Sequence, residues 1–157
     1  MLQRIQSLYL ALVVILGVLL LFLPVLSFTA NEHHYVMNAY KTLQLDSLEV
    51  LSKNMGVGAI QGLVILISVI VIFLFKNRGL QMKVAKLNIL LLALQIAAIV
   101  MYSDVVRKSI PDQDPADVAV HFEFACTIPL ISLILTYLAV RAIKKDDDLV
   151  RSADRLR

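Results

Sequence analysis

The sequence predicts an all-α integral membrane protein, a bundle of four transmembrane helices with both termini in the cytoplasm. Three observations predict it. Hydrophobic residues make up 59% of the 157-residue chain and mean hydropathy is +0.80; soluble domains hold roughly 45–50% apolar residues. The excess is gathered into four runs of span length. Lys and Arg divide unequally among the segments that join those runs.

The first run covers residues 8–26, the second 57–75, the third 87–103 and the fourth 124–143. At about 1.5 Å of rise per residue, roughly 20 helical residues cross a hydrocarbon core of about 30 Å. The third run reaches that length if the stem of Lys86 snorkels. Only Arg141, near the end of the fourth run, brings a charge into any of them. Backbone amides in hydrocarbon must be satisfied within their own segment, so helices are expected. Arg4 before the first run resembles the start of a signal peptide. The apolar stretch exceeds the usual 7–15 residues of such a core and no A-x-A site follows, so the segment reads as a retained span.

Four spans place both termini on one side. That side carries Arg4, the basic 76–86 loop with Lys76, Arg78, Lys83 and Lys86, and the 144–157 tail together with Arg141, eleven Lys and Arg in all. The other side carries four: Lys41, Lys53, Arg107 and Lys108. The positive-inside rule assigns the richer side to the cytoplasm. The 27–56 loop and the acidic 104–123 loop then face outward, into the periplasm of a bacterial inner membrane. The whole of 1–157 reads as one membrane domain with the lipid bilayer as its first partner, and nothing points to sequence-specific nucleic acid.

Helices in lipid associate where small residues let backbones approach. Gly58 and Gly62 form a GxxxG in span two, Ala93 and Ala97 repeat the spacing in span three, and Ser132 and Thr136 do so in span four. These faces are expected in the bundle interior, joining helices of one chain or of two. Gln61 and Gln95 are polar residues inside spans. An interhelical hydrogen bond explains them more simply than a substrate or ion contact, because no intramembrane carboxylate or lysine accompanies them.

The outer segments hold the few residues that suggest chemistry. Glu32, His33 and His34 are adjacent, without the spaced ligands a metal site needs. Residues 35–37 and 43–45 suit either short strands or an interfacial helix, as part of a small cap or a partner contact. In 104–123 the acids Asp112, Asp114, Asp117 and Glu123 fit a turn and the start of helix four. His121, Glu123 and Cys126 evoke a metal or haem site, but on a helix His121 would lie away from the other two. GxSxG, HExxH, Walker and GxGxxG motifs are missing. No catalytic, cofactor or metal residue is therefore expected.

The start MLQRIQSLYL and the finish DDDLVRSADRLR, around four spans, resemble an uncharacterised family of small four-helix inner-membrane proteins of Bacteroidota, a domain of unknown function. Gln3-Arg4-Ile5-Gln6 and residues 149–157 carry the resemblance most specifically; Leu2 departs from the expected isoleucine. It implies the four-span topology and the inner membrane, and supplies no activity. As a helix, the tail aligns Leu149, Ala153 and Leu156 on one face and Arg151 and Arg155 on the next, with Asp154 among them and Arg157 at the end. Its acids nearly balance its cations, which favours a cytoplasmic protein partner over anionic lipid. The functional expectation is a non-catalytic accessory or structural subunit of a larger membrane complex, such as an export or insertion machine, an envelope motor or a respiratory assembly. A small oligomeric transporter or channel is the alternative, and a membrane enzyme or cofactor carrier is third.

Overall fold

The computed structural model describes residues 2–30, 33–111 and 114–154, and the side chains of these except 2–4, 76, 151, 153 and 154. Four helices form a bundle: α1 (Leu2–Phe22), α2 (Met55–Phe73), α3 (Arg78–Ser109) and α4 (Ile128–Asp154). All four are long and apolar enough to cross a membrane. Five strands complete the fold: β1 (Leu26–Ala30), β2 (His33–Met37), β3 (Lys41–Gln44), β4 (Val50–Lys53) and β5 (Ala119–Phe122). They form one antiparallel sheet in the order β4-β3-β2-β1-β5.

The all-α expectation is thus corrected. Pro24 is the first cause: it disfavours helix in the residue before it, and α1 ends at Phe22 rather than at residue 26. Alternation is the second. Leu26, Phe28 and Ala30 point inward while Ser27 and Thr29 lie between them, and Tyr35 and Met37 repeat the pattern on β2. A period of two is a strand's period. The register sets Leu26 opposite Met37 and Phe28 opposite Tyr35, so these large side chains meet on one face. The described part of residues 27–54 therefore holds four strands, and of the two alternatives for residues 35–37 and 43–45 the short strands are the ones found, as β2 and β3. Residues 119–122, expected to lead into a helix, pair with β1 as β5.

The inner face of the sheet packs on the ends of the helices. Phe28, Leu26 and Met37 are fully buried with Leu20 of α1, Val57 of α2, Val106 of α3 and Ile128 of α4. Each such side chain contributes roughly 1.5–3 kcal/mol of burial. The overhang of α3 makes this possible. Its 32 residues extend about 48 Å, against about 28 Å for the 19 residues of α2. The 76–86 loop expectation is corrected on the same grounds. A 3-10 turn at Leu74–Lys76 leads to Asn77, whose side chain accepts a bond from Leu80 N at 3.2 Å and starts α3. Arg78, Lys83 and Lys86 belong to the first turns of that helix.

Within the bundle, neighbouring helices touch in the cyclic order α1, α2, α3, α4. Each buries a 4-3-4-3 seam: Gln6, Leu10, Val13, Gly17 and Leu20 on α1; Val57, Gln61, Val64, Ser68 and Val71 on α2; Gln81, Ala85, Asn88, Leu92, Gln95 and Ile99 on α3; Ser132, Thr136, Ala139 and Ile143 on α4. A mean spacing of 3.5 is the repeat of left-handed bundles. Gly62, Ala93 and Ala97 fall outside it. A Cβ added at Gly62 meets nothing within 4 Å, and both alanines are exposed, so these three do not pack helices together within the single chain. Gly62→Ala should leave the bundle as stable, or more stable by up to about 0.5–1 kcal/mol, since alanine loses less backbone entropy in a helix. Thermal unfolding in detergent measures it.

Candidate functional site

Two constructions stand out: a polar ladder inside the bundle and a braced hairpin at one edge of the sheet. The ladder runs between α2 and α3. Gln95 Nε2 donates to Gln61 Oε1 at 2.6 Å. One heptad away, Asn88 Nδ2 donates to Ser68 Oγ at 2.8 Å. One heptad further along α3, Gln81 Nε2 donates to the carbonyl of Val71 at 2.9 Å. Gln61 and Gln95 are 2% and 0% exposed. Between the two side-chain rungs the α2 number rises by seven as the α3 number falls by seven, as expected for antiparallel helices in constant register. Gln61 also reaches α1: a Cβ on Gly17 would collide with its Nε2 and come within 2.9 Å of Ile65 Cγ1. Gly17 thus admits the amide where any other residue would exclude it. On α4, Thr136 Oγ1 donates to the carbonyl of Ser132 at 2.7 Å, and both residues are buried.

Gly58 serves the sheet rather than another helix. Its N–H donates to Ala39 O at 2.9 Å, and a Cβ there would lie 2.6 Å from Tyr40 Cε1. The turn between β2 and β3 therefore rests directly on the first turn of α2. Below it, Asn54 Nδ2 donates to Thr42 Oγ1 at 2.7 Å, both fully buried.

The β3–β4 hairpin is the other construction. Its tip exposes Leu45, Leu48 and Val50, with Leu48 75% exposed. Leu48 has φ of 57°, a left-handed conformation that costs a branched L-residue about 1–2 kcal/mol. Several bonds hold it there. Leu48 N donates to Gln44 O at 3.0 Å, Gln44 N to Glu49 O at 3.1 Å, and Leu45 N to His34 O at 2.8 Å. His33 Nδ1 lies 2.8 Å from Asp46 Oδ2. His33 and His34 so brace the hairpin: His34 also approaches Thr29 Oγ1 at 3.4 Å. Glu32 lies outside the described residues.

The other residues singled out from the sequence are dispersed. Glu123 accepts from Ser27 Oγ at 2.7 Å and its N–H donates to Val25 O at 3.3 Å, which latches the start of α4 to β1. His121 is exposed on β5 opposite Ser27, and Cys126 is half-buried in the 3-10 turn Phe124–Thr127. At the opposite end of the bundle the tail is no separate segment: α4 runs unbroken to Asp154. Asp146 Oδ2 lies 3.2 Å from Arg78 Nη2, and its carbonyl accepts from Arg78 Nη1 at 3.1 Å. One acid of the tail thus ties α4 to α3. Leu149 is exposed. Arg151, Ala153 and Asp154 are helical in backbone, and Arg155, Leu156 and Arg157 lie outside the described residues.

The interhelical bond expected for Gln61 and Gln95 is the first rung; the rungs at Asn88–Ser68 and Gln81 were not foreseen, although their mark was present. Gln61 and Ser68 are seven apart, as are Gln81, Asn88 and Gln95, and in an otherwise apolar chain such a repeat locates the seam. The hairpin left a weaker mark, a Leu-rich stretch between two turns.

A bundle of four span-length helices closed at one end by a five-stranded antiparallel sheet defines the class. The chain belongs to the DUF4293 family, a domain of unknown function, whose model matches residues 2–156. No curated protein matches it.

Proposed function

We propose that this protein is a non-catalytic accessory subunit of a larger bacterial inner-membrane complex, and that its sheet is the docking platform. The observation that carries this is the hairpin tip. Leu48 is both strained and exposed, two costs that local packing does not offset, and such outliers persist where surrounding structure enforces them for function. Leu45 and Val50 extend the apolar surface, and β4 beside them is an edge strand with one open side. Apolar anchors at a rigid position are what a protein partner buries.

The membrane setting rests on the inverted bundle. Gln61, Ser68, Asn88 and Gln95 are buried, while Leu12, Ile15, Leu63, Leu66, Leu90 and Leu94 face outward. In water that arrangement is costly; in hydrocarbon it is favoured. The start of α1 and the end of α4 lie at the bundle end that also carries the basic start of α3, and segments 27–56 and 104–123 hold eight of the twelve acids. We assign the termini to the cytoplasm and the sheet to the periplasm, in keeping with the Bacteroidota resemblance. With Cys126 replaced by serine, cysteines introduced at Leu48 and at Lys145 should react with an impermeant maleimide in intact cells at the first position only. A channel reading has less support, because Gln61 and Gln95 bond to each other within one chain instead of lining a lumen.

Purification from native membranes in gentle detergent, followed by mass spectrometry, tests the assignment. Recovery of this chain with defined membrane proteins is expected. Recovery of the chain alone, or of a homo-oligomer only, would overturn it.

A further inference from the structure

The second surface of interest lies at the opposite edge of the sheet, between α3, α4 and β5. A cleft of about 380 Å³ opens there, within the roughly 300–1,000 Å³ range of ligand sites. Its wall is apolar: Ile96, Ile99 and Val100 from α3, Phe122 from β5 and Leu130 from α4. Val100, Phe122 and Leu130 are themselves well exposed, so the cleft opens to the outside of the bundle. At Asp104 it meets a second, polar depression formed with Arg107, Lys108 and the Pro115–Ala116 turn.

The order of these residues along α3 is informative. Ile96, Val100, Asp104 and Lys108 follow one another at intervals of four and share a face, which changes from apolar to acidic to basic. Asp104 makes no salt bridge with Arg107 or Lys108. Arg107 Nε is buried without a hydrogen-bond partner among the described residues. The nearby Asp114 is engaged with its own turn, accepting from Ala116 N at 3.0 Å.

We infer that this cleft binds one phospholipid with an amine headgroup from the outer leaflet: an acyl chain between α3 and α4, its phosphate on Arg107 and Lys108, its ammonium on Asp104. The inference rests on the bilayer assignment above. Arginine pairs with phosphate through directed N–H donors and lysine as a point charge. An anion alone would leave Asp104 opposed, and a cation alone would leave the two bases opposed. A zwitterion satisfies both, and the apolar cleft accounts for the chain attached to it.

Native mass spectrometry of the delipidated full chain, titrated with phosphatidylethanolamine and with phosphatidylglycerol, tests this. One phosphatidylethanolamine should bind in preference to phosphatidylglycerol. Asp104→Asn should bring the two affinities together. Arg107→Gln and the more exposed Lys108→Gln should each weaken both lipids, Arg107→Gln by about tenfold. Val100→Trp should block binding of either. Circular dichroism confirms that each variant is folded. A wild-type titration without headgroup preference, an unchanged preference in Asp104→Asn, or wild-type binding by Val100→Trp would overturn the inference, as would equal binding of soluble glycerophosphoethanolamine. Carbonate extraction of the same variants separates this from the bilayer assignment. A chain that stays in the membrane but fails the titration refutes the lipid site alone. A chain released by carbonate refutes both.

Discussion

Exchange of Leu45 and Leu48 for aspartate should reduce recovery of the partner complex to background. Each leucine anchor in a protein interface is worth on the order of 2 kcal/mol when it is a central contact, and a buried carboxylate adds a desolvation cost. The sharper variant is Leu48→Gly. Glycine adopts positive φ without the 1–2 kcal/mol or so that leucine incurs, and loses roughly 0.5–1 kcal/mol to unfolded-state entropy. The folded protein should therefore be as stable as before, or up to about 1 kcal/mol more stable, while partner recovery falls on the order of tenfold or more. On the proposed docking, stability and recovery should move in different directions, because leucine at this position would serve the interface and not the fold. Thermal unfolding in detergent and quantitative co-purification read the two effects. Undiminished recovery with Leu48→Gly would remove the hairpin from the interface.

The Gln61–Gln95 pair gives the second large effect. Gln61→Leu takes the acceptor from Gln95 Nε2 and leaves a fully buried donor unmatched, at a cost of about 1–3 kcal/mol. Gln95→Leu leaves Gln61 Oε1 in the same condition. The double replacement puts two apolar side chains of similar size into the seam and should recover much of the loss. The coupling expected from such a cycle in a membrane bundle is about 0.6–2 kcal/mol. Unfolding of the four proteins in mixed micelles measures it. Strict additivity would show that the two amides do not act as a pair. Gly17→Ala belongs to the same test, because its Cβ occupies the space of Gln61 Nε2.

Docking through the tail is also open to a direct measurement. Truncation after Lys145 would remove Asp146 and with it the tie to Arg78, so truncation after Val150 is the cleaner variant. It keeps that pair and deletes the segment proposed to face a cytoplasmic partner. Lower recovery would assign a second contact to that end, and unchanged recovery would leave docking to the sheet.

The four helices were legible because their cause is local: each run's apolar length is written in consecutive residues. The third and fourth nevertheless exceed their apolar runs. Helix propagation carries α3 into Arg78 and on to Ser109, and α4 on to Asp154, where hydropathy alone stops early. Small-residue spacing did not mark the intrachain seam at Gly62, Ala93 and Ala97, since in a nearly uniform apolar helix any face can display it. The better mark was the seven-residue spacing of Gln and Asn, because in this chain the polar side chains are the ones that must turn inward.

The sequence by itself determined the number of span-length helices, the segregation of charge between the two ends and the absence of a recognisable catalytic motif. Only the tertiary structure decided the sheet. β1 pairs with β5 across some ninety residues, and β5, which has no alternation of its own, acquires strand character only when the two meet. The same holds for the Glu123–Ser27 latch, the ladder and the strained Leu48. Each is a relation between distant segments, or a conformation imposed by them, and its energy comes from a neighbour that the local sequence does not specify.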